Sequence, residues 1–154
     1  MQICWQDLPQ SEMDVQTLYT LLALRNRVFI VEQNCPYQDL DGQDLQGENR
    51  HILGWREGEL VACARILAPE QGTAPVAIGR VVVSSQARGL NLGYRLMEQA
   101  LMSCAQNWPQ QDVYLSAQAH LQAFYQKLGF QAQGEIYLED NIPHIDMLRI
   151  AGME

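Results

Sequence analysis

Positive charge is scarce in this chain. Its 154 residues hold 10 Lys and Arg against 18 Asp and Glu, a formal net charge of −8. Nucleic acid and anionic membranes both require a basic surface, so neither is an expected partner. Long apolar runs are also lacking, and none approaches the ~18 residues that span a bilayer. The first ten residues carry neither the basic patch nor the apolar stretch of a secretory signal, so a cytoplasmic location is expected. Cys4, Cys35, Cys63 and Cys104 form no CxxC pair. A metal site or disulfide framework is therefore not expected, and the four read as reduced thiols. Cys35, in a polar stretch, is the one expected to be reactive. There is no repeat, linker or low-complexity tract. With 47% hydrophobic residues, the length suits one domain spanning 1–154.

What is present is a regular alternation of apolar segments and breakers. A short strand is expected near 2–6. Ser11 with Asp14 resembles a capping box, ahead of a helix through Val15, Leu18, Leu21, Leu22 and Leu24 that continues or restarts to Gln33. Residues 34–50 read as a polar loop with Asp39, Asp41, Asp44 and Glu48, either solvated or facing a substrate. Its DLDGQD run lacks the glycine position and ligand spacing of a calcium loop. Residues 51–56 and 60–67 flank Glu57-Gly58-Glu59 as a hairpin, and a further strand lies near 76–83. A helix over 91–107 places Leu92, Leu96, Ala100, Leu101 and Cys104 on one face. Val113 to Leu115 form a strand, 119–128 a helix, and 130–138 with 144–150 an antiparallel pair. The order is β-α-α-β-β-β-α-β-α-β-β, an α/β arrangement on a mixed sheet.

The segment 78–97, IGRVVVSSQARGLNLGYRLM, carries the most chemistry. A β-branched strand ends at Val83, a short turn follows, and Arg88-Gly89-Leu90-Asn91-Leu92-Gly93 opens a helix. Amides at a helix start have no intrahelical partner, and the helix dipole favours an anion there. Gly89 and Gly93 permit close approach to the main chain, and Arg88 adds a cation suited to phosphate. Downstream, AQAHLQAFYQKLGF (117–130) reads as a helix with Leu121, Phe124, Tyr125 and Leu128 at helical spacing, capped by a left-handed Gly129 and sealed by Phe130.

These two blocks, in this order, resemble the acyl-CoA motifs of the GNAT N-acetyltransferases. Val83, Arg88, Gly89 and Gly93 match the first, with Asn91 at the usual middle glycine. Phe124, Tyr125, Gly129 and Phe130 match the second. With VFIVEQNCPYQDLDG, HILGW and EDNIPHIDM, the likeness extends over nearly the whole chain to the ElaA-type subfamily. It implies the GNAT fold, acetyl-CoA as co-substrate and no metal. The acceptor would be an amine on a small molecule or protein, and the chain a monomer or homodimer. Backbone groups of Val81 and Val83 would bind the pantetheine arm, opposite a strand splayed away by a bulge. The pyrophosphate would lie on the amides of Arg88, Gly89, Leu90, Asn91, Leu92, Gly93 and Tyr94. Gln118 stands where many members place an Asn that contacts CoA.

Direct transfer to an amine needs a proton donor for the departing thiolate and a sink for the ammonium proton. Tyr125 matches the family's general acid. His144, His51 and Glu32 are the candidate bases, with His120 further back. Arg25 and Glu32 read as an ion pair, and the acidic loop could draw a cationic acceptor. A non-catalytic CoA-binding module and an acyl-homoserine-lactone-synthase-like activity, suggested by VFIVEQ, are the alternatives.

Overall fold

The strands β1 (Cys4–Pro9), β2 (Arg50–Arg56), β3 (Glu59–Leu67), β4 (Val76–Val83), β5 (Val113–Gln118), β6 (Gln131–Glu139) and β7 (Ile142–Arg149) form one mixed sheet, ordered β1-β2-β3-β4-β5-β7-β6. This computed structural model describes residues 2–89 and 91–151. Only the central β4–β5 pair is parallel; every other neighbour is antiparallel. The order of elements is the expected one. None of the described helices is long and apolar enough to cross a membrane.

The helices divide between the two faces. On one face α2 (Leu92–Asn107) buries Leu92, Leu96, Met97, Ala100 and Cys104 against Ala62, Ala64, Ile66 and Ile78. That stripe is the period-3.6 pattern, and its core positions are closed to solvent. The short α3 (Gln122–Gln126) packs Tyr125 into the same cluster, joined by Phe130 just beyond its end. On the other face α1 (Val15–Arg25) and a π-helical segment (Asn26–Glu32) bury Leu21, Leu24 and Val28 against Leu53, Cys63 and Val82. Each such side chain contributes about 1.5–3 kcal/mol by leaving water.

Local chemistry sets several ends. The cap of α1 is Asp14, which accepts from the Thr17 amide at 2.7 Å; Ser11 lies in a preceding 3-10 turn. Asp14 therefore replaces the capping box expected at Ser11. After α3, the Phe130 amide donates to the Tyr125 carbonyl at 3.2 Å and Gly129 takes φ +94°. A side chain there would be strained by φ and would crowd Arg149 Nε at 3.1 Å, so glycine is required.

The polar loop is solvated only on its outer side, and Asp39 and Asp44 are buried beneath it. It folds back over the α1 face of the sheet and forms an ionic core. Arg25 is fully buried; its Nε donates to Asp39 at 2.9 Å and its Nη1 to Asp44 at 2.6 Å. Arg65 grips Asp41 through both Nη atoms at 2.9 Å and reaches Asp44 at 3.2 Å. Arg80 Nε lies 2.8 Å from Asp39 and its Nη2 3.4 Å from Asp41. Three Asp thus meet three Arg, and the expectation that Asp39, Asp41 and Asp44 would draw in an acceptor is overturned. Asp39 and Asp44 are both buried, with their oxygens already engaged. The expected Arg25–Glu32 pair is also replaced, because Arg25 points inward and Glu32 pairs with Arg88. Cys35, too, is buried, its thiol 3.5 Å from the Asp140 carbonyl, whereas Cys4 is the exposed thiol.

Removing one member of this core leaves a buried charge uncompensated, which costs about 3–5 kcal/mol. Arg25→Met should lower stability by that amount in urea unfolding; a loss below about 1 kcal/mol would contradict it. Burial alone would raise Asp41, but hydrogen bonds from Arg65 and the Gln43 amide overcome it and hold the carboxyl at about 2. Asp44 is lowered likewise, its burial outweighed by Arg25 and Arg65. A depressed carboxyl stabilises the fold above its unfolded value and ceases to as pH falls through the folded one. Stability should therefore decline from about pH 4 downward toward pH 2, and Asp41→Asn should flatten that decline.

Candidate active-site cleft

The cleft begins with one extra residue. Between β3 and β4, Cys63 pairs with Val82 but Arg65 with Gly79, so β4 carries a bulge there. Arg80 sits in it with φ +50°, an uncommon conformation for a non-glycine residue. Its guanidinium is held by Asp39 and Asp41 and lies 5.6 Å over the Tyr37 ring. The bulge turns β4 away from β5. Their pairing is confined to Val76↔Val113 and Ala77↔Tyr114. Beyond it the β5-facing edge of β4, including Val81, has no strand partner. A cavity of about 280 Å³ opens there, floored by β4 and β5 and walled by Phe29 and Tyr37 on one side and Ile142 and His144 on the other. The early helices and the strand carrying His144 thus meet across it.

The candidate bases are separated by the fold. His144 lines the cleft, with Nδ1 2.7 Å from the Ile142 carbonyl. A carbonyl only accepts, so Nδ1 carries the proton and Nε2 keeps its lone pair when neutral. That Nε2 is 3.9 Å from a Glu139 carboxylate oxygen, and the ring stacks on Tyr137 at 6.2 Å. His51 is away from the cleft. It is fully buried beneath the acidic loop with Nε2 2.9 Å from the Asp44 carbonyl and Nδ1 without a partner. Burial depresses its basicity, so it stays neutral. Glu32 pairs with Arg88 at the edge of the cradle. His120 is exposed on a 3-10 turn.

Tyr125 lines the cleft from α3, with its ring edge-on to Phe130 at 6.0 Å. Burial pushes its hydroxyl up to about 12, so it holds its proton throughout the neutral range. Val81 and Gln118 line the same cavity. Val83 does so only indirectly: its carbonyl accepts from Arg88 Nε at 3.1 Å, fixing the cradle to the end of β4.

Of the segment expected to form the cradle, Leu90 lies outside the described residues. Gly89 has φ +89° and open space where a Cβ would stand. Asn91 adopts the left-handed conformation at φ +58° and makes no side-chain cap. The first-turn amides of α2 are therefore left for an anion. Leu92 contributes only backbone, since its side chain is core. A methyl at Gly93 would touch Phe124 at 3.7 Å, so this glycine borders α3 rather than open space. Tyr94 packs against the core from the same turn. The described residues here, Gly89 and Asn91 to Tyr94, leave main-chain donors open to an anion.

The family comparison settles the identity of this architecture. The model for the acetyltransferase (GNAT) domain matches residues 12–150. The chain belongs to the GNAT acetyltransferase family, in its ElaA-type branch. It is 59% identical to Protein ElaA of Escherichia coli (strain K12) over 94% of this chain and 95% of that one. The crystal structure of Escherichia coli ElaA superposes with a TM-score of 0.92, at 57% identity over 96% and 99% of the two chains. An acyl-CoA N-acyltransferase from Pseudomonas aeruginosa gives 0.93 at 51% identity over the same shares. The chain thus has the acyl-CoA N-acyltransferase fold and is an acyltransferase.

One group on the cleft was not singled out from sequence. Tyr114 and Ser116 of β5 line the cavity, and Asp146 of β7 and Tyr137 of β6 bond to them from the neighbouring strands. The signal was the alternation in VYLSAQ, which leaves Tyr114, Ser116 and Gln118 on one polar face.

The two buried histidines should be opposite tautomers, His144 protonated on Nδ1 and His51 on Nε2. Long-range proton–nitrogen correlation spectra at neutral pH read this directly. His51 should still be neutral at pH values where an ordinary histidine is half-charged. Matching tautomers, or a His51 that titrates at or above pH ~6.5, would contradict the geometry.

Proposed function

We propose that the chain transfers an acetyl group directly from acetyl-CoA to an amine acceptor. The observation that carries this is the bulge at Arg80, which opens β4 from β5 between the anion cradle, Tyr125 and His144. Acetyl-CoA, when bound, supplies an activated acyl thioester. The amides of Arg88 to Tyr94 and the Arg88 guanidinium hold its pyrophosphate, and Gln118 adds an amide contact. The open edge of β4 at Val81 and Val83 binds the pantetheine arm and places an amide donor for the carbonyl oxygen. His144 Nε2 accepts the proton that leaves the acceptor ammonium, with Glu139 stabilising the charged ring. Tyr125 donates its proton to the departing sulfur. Glu32 is a competitor for Arg88 on this reading rather than a base.

A covalent route through cysteine has little support. Burial pushes the Cys63 and Cys104 thiols up to about 12, and neither lines the cleft. Cys35 does line it, but its thiol donates to the Asp140 carbonyl.

Thiol release from acetyl-CoA, screened across amines and peptides, tests the reading. With a competent acceptor, Tyr125→Phe should fold and bind acetyl-CoA normally and lose about 10²-fold in rate. Cys35→Ala should retain turnover; its loss would favour a covalent route. Arg88→Ala should weaken acetyl-CoA binding in calorimetry by about 1.5–3 kcal/mol, and Glu32→Gln should strengthen it by freeing Arg88. Unchanged affinity in both would remove Arg88 from the site.

A further inference from the structure

Every hydroxyl proton on the β5–β7 wall of the cleft runs toward one carboxylate. Tyr114 donates to Asp146 Oδ1 at 2.7 Å, and Tyr137 donates to the same oxygen at 2.6 Å. Ser116 Oγ is hydrogen-bonded to the Tyr137 oxygen. Tyr137 has one proton and gives it to Asp146, so the Ser116 proton must go to Tyr137. Strand register enforces this. Ser116 lies directly opposite Asp146, and Tyr114 is two residues along on the same face. The hydroxyl protons of Tyr114 and Ser116 are thereby committed to Asp146 and Tyr137, neither of which lines the cleft, so toward the cleft these oxygens can offer only lone pairs. His144, two residues from Asp146 on β7, adds the Nε2 lone pair, because its Nδ1 proton is held by the Ile142 carbonyl.

Cations are missing from the same cavity. Among the described residues that line it, Arg80 is the only Lys or Arg, and its guanidinium faces Asp39 and Asp41. Glu139 and Asp140 also line it. A carboxylate turned toward the β5–β7 wall would meet lone pairs and negative charge, with no Lys or Arg beside it to replace its hydration. An ammonium or a neutral amine would find acceptors in the directions its N–H groups point.

We infer that the cleft selects amines without a carboxylate, and that the Asp146-directed hydroxyl chain of Ser116, Tyr137 and Tyr114 sets this selectivity. The inference rests on the acyltransferase reading of the site and names its acceptor class. These four act by positioning lone pairs.

The test compares acceptors that differ in one group: arginine, argininamide and agmatine, and likewise phenylalanine, phenylalaninamide and phenethylamine. Equilibrium binding to the CoA-loaded protein is measured by calorimetry, and kcat/KM by thiol release from acetyl-CoA. The amide and the amine should exceed the free acid by at least about tenfold in both readouts, the scale on which unpaired polar groups discriminate. In Asp146→Asn the side-chain amide supplies donors, the hydroxyls can turn toward the cleft, and the preference should narrow. Tyr137→Phe, which keeps the ring, should release Ser116 and narrow it too, mainly through acceptor KM.

Free acids that bind as tightly as their amides would overturn the inference while leaving the acyltransferase reading in place. A preference unchanged in both variants would overturn the role of the hydroxyl chain. Selective amine binding without thiol release would support the inference and contradict the catalytic reading. No binding by any of the amines would overturn the inference.

Discussion

The bulge at Arg80 is the constraint on which the rest of the site depends. A regular β4 would pair with β5 along its length and close the sheet where a thioester must enter. The extra residue prevents that, but it requires a non-glycine backbone at φ +50°. Such a conformation persists only where its surroundings over-determine it. Here they are the carboxylates of Asp39 and Asp41, which hold the Arg80 guanidinium, and the Tyr37 ring beneath it. Arg25 and Arg65 complete the charge balance from α1 and β3. A buried ion network is weak evidence for stability, because desolvation offsets much of its attraction. Its value here is geometric: it ties a loop, a helix and two strands to one backbone distortion.

The same logic of directed polar groups extends across the cleft. His144 and His51 are both buried, yet backbone carbonyls hold opposite nitrogens protonated. One ring therefore offers a lone pair to the cavity and the other to the protein interior. Tyr125 is kept protonated by burial, which suits the proton-donor role proposed for it. Each group's role follows from the hydrogen bond it has already made, not from its residue type alone.

Much of this was legible because it is encoded over short distances. The strand ending at Val83, the Arg88–Gly93 helix entry and the Tyr125–Gly129–Phe130 closure each read within a single turn of chain. The stripe of α2 and the β2–β3 hairpin are likewise local. The ionic core was not legible. Arg25, Asp39, Asp44, Arg65 and Arg80 meet across as many as 41 positions, and a charged loop looks the same whether water or arginine solvates it. Nothing adjacent to Arg80 marks it as left-handed. His51 and His144 both open strands in the sequence, and only the strand order buries one while bringing the other to the cleft. The hydroxyl chain was half visible, since the alternation of β5 is local but Asp146 and Tyr137 arrive from other strands.

If the bulge is what opens the acyl-CoA site, backbone preference at position 80 must control binding. Glycine adopts the left-handed conformation freely, whereas a β-branched residue avoids it and favours a regular strand. The decisive measurement is acetyl-CoA affinity, by calorimetry on folded protein, in Arg80→Gly and Arg80→Val. Both variants lose the same charge and the same contacts with Asp39 and Asp41. The account predicts that Arg80→Gly binds within a few-fold of the parent protein while Arg80→Val loses at least about tenfold, a difference of some 1.4 kcal/mol. Equal affinities in the two variants would contradict it.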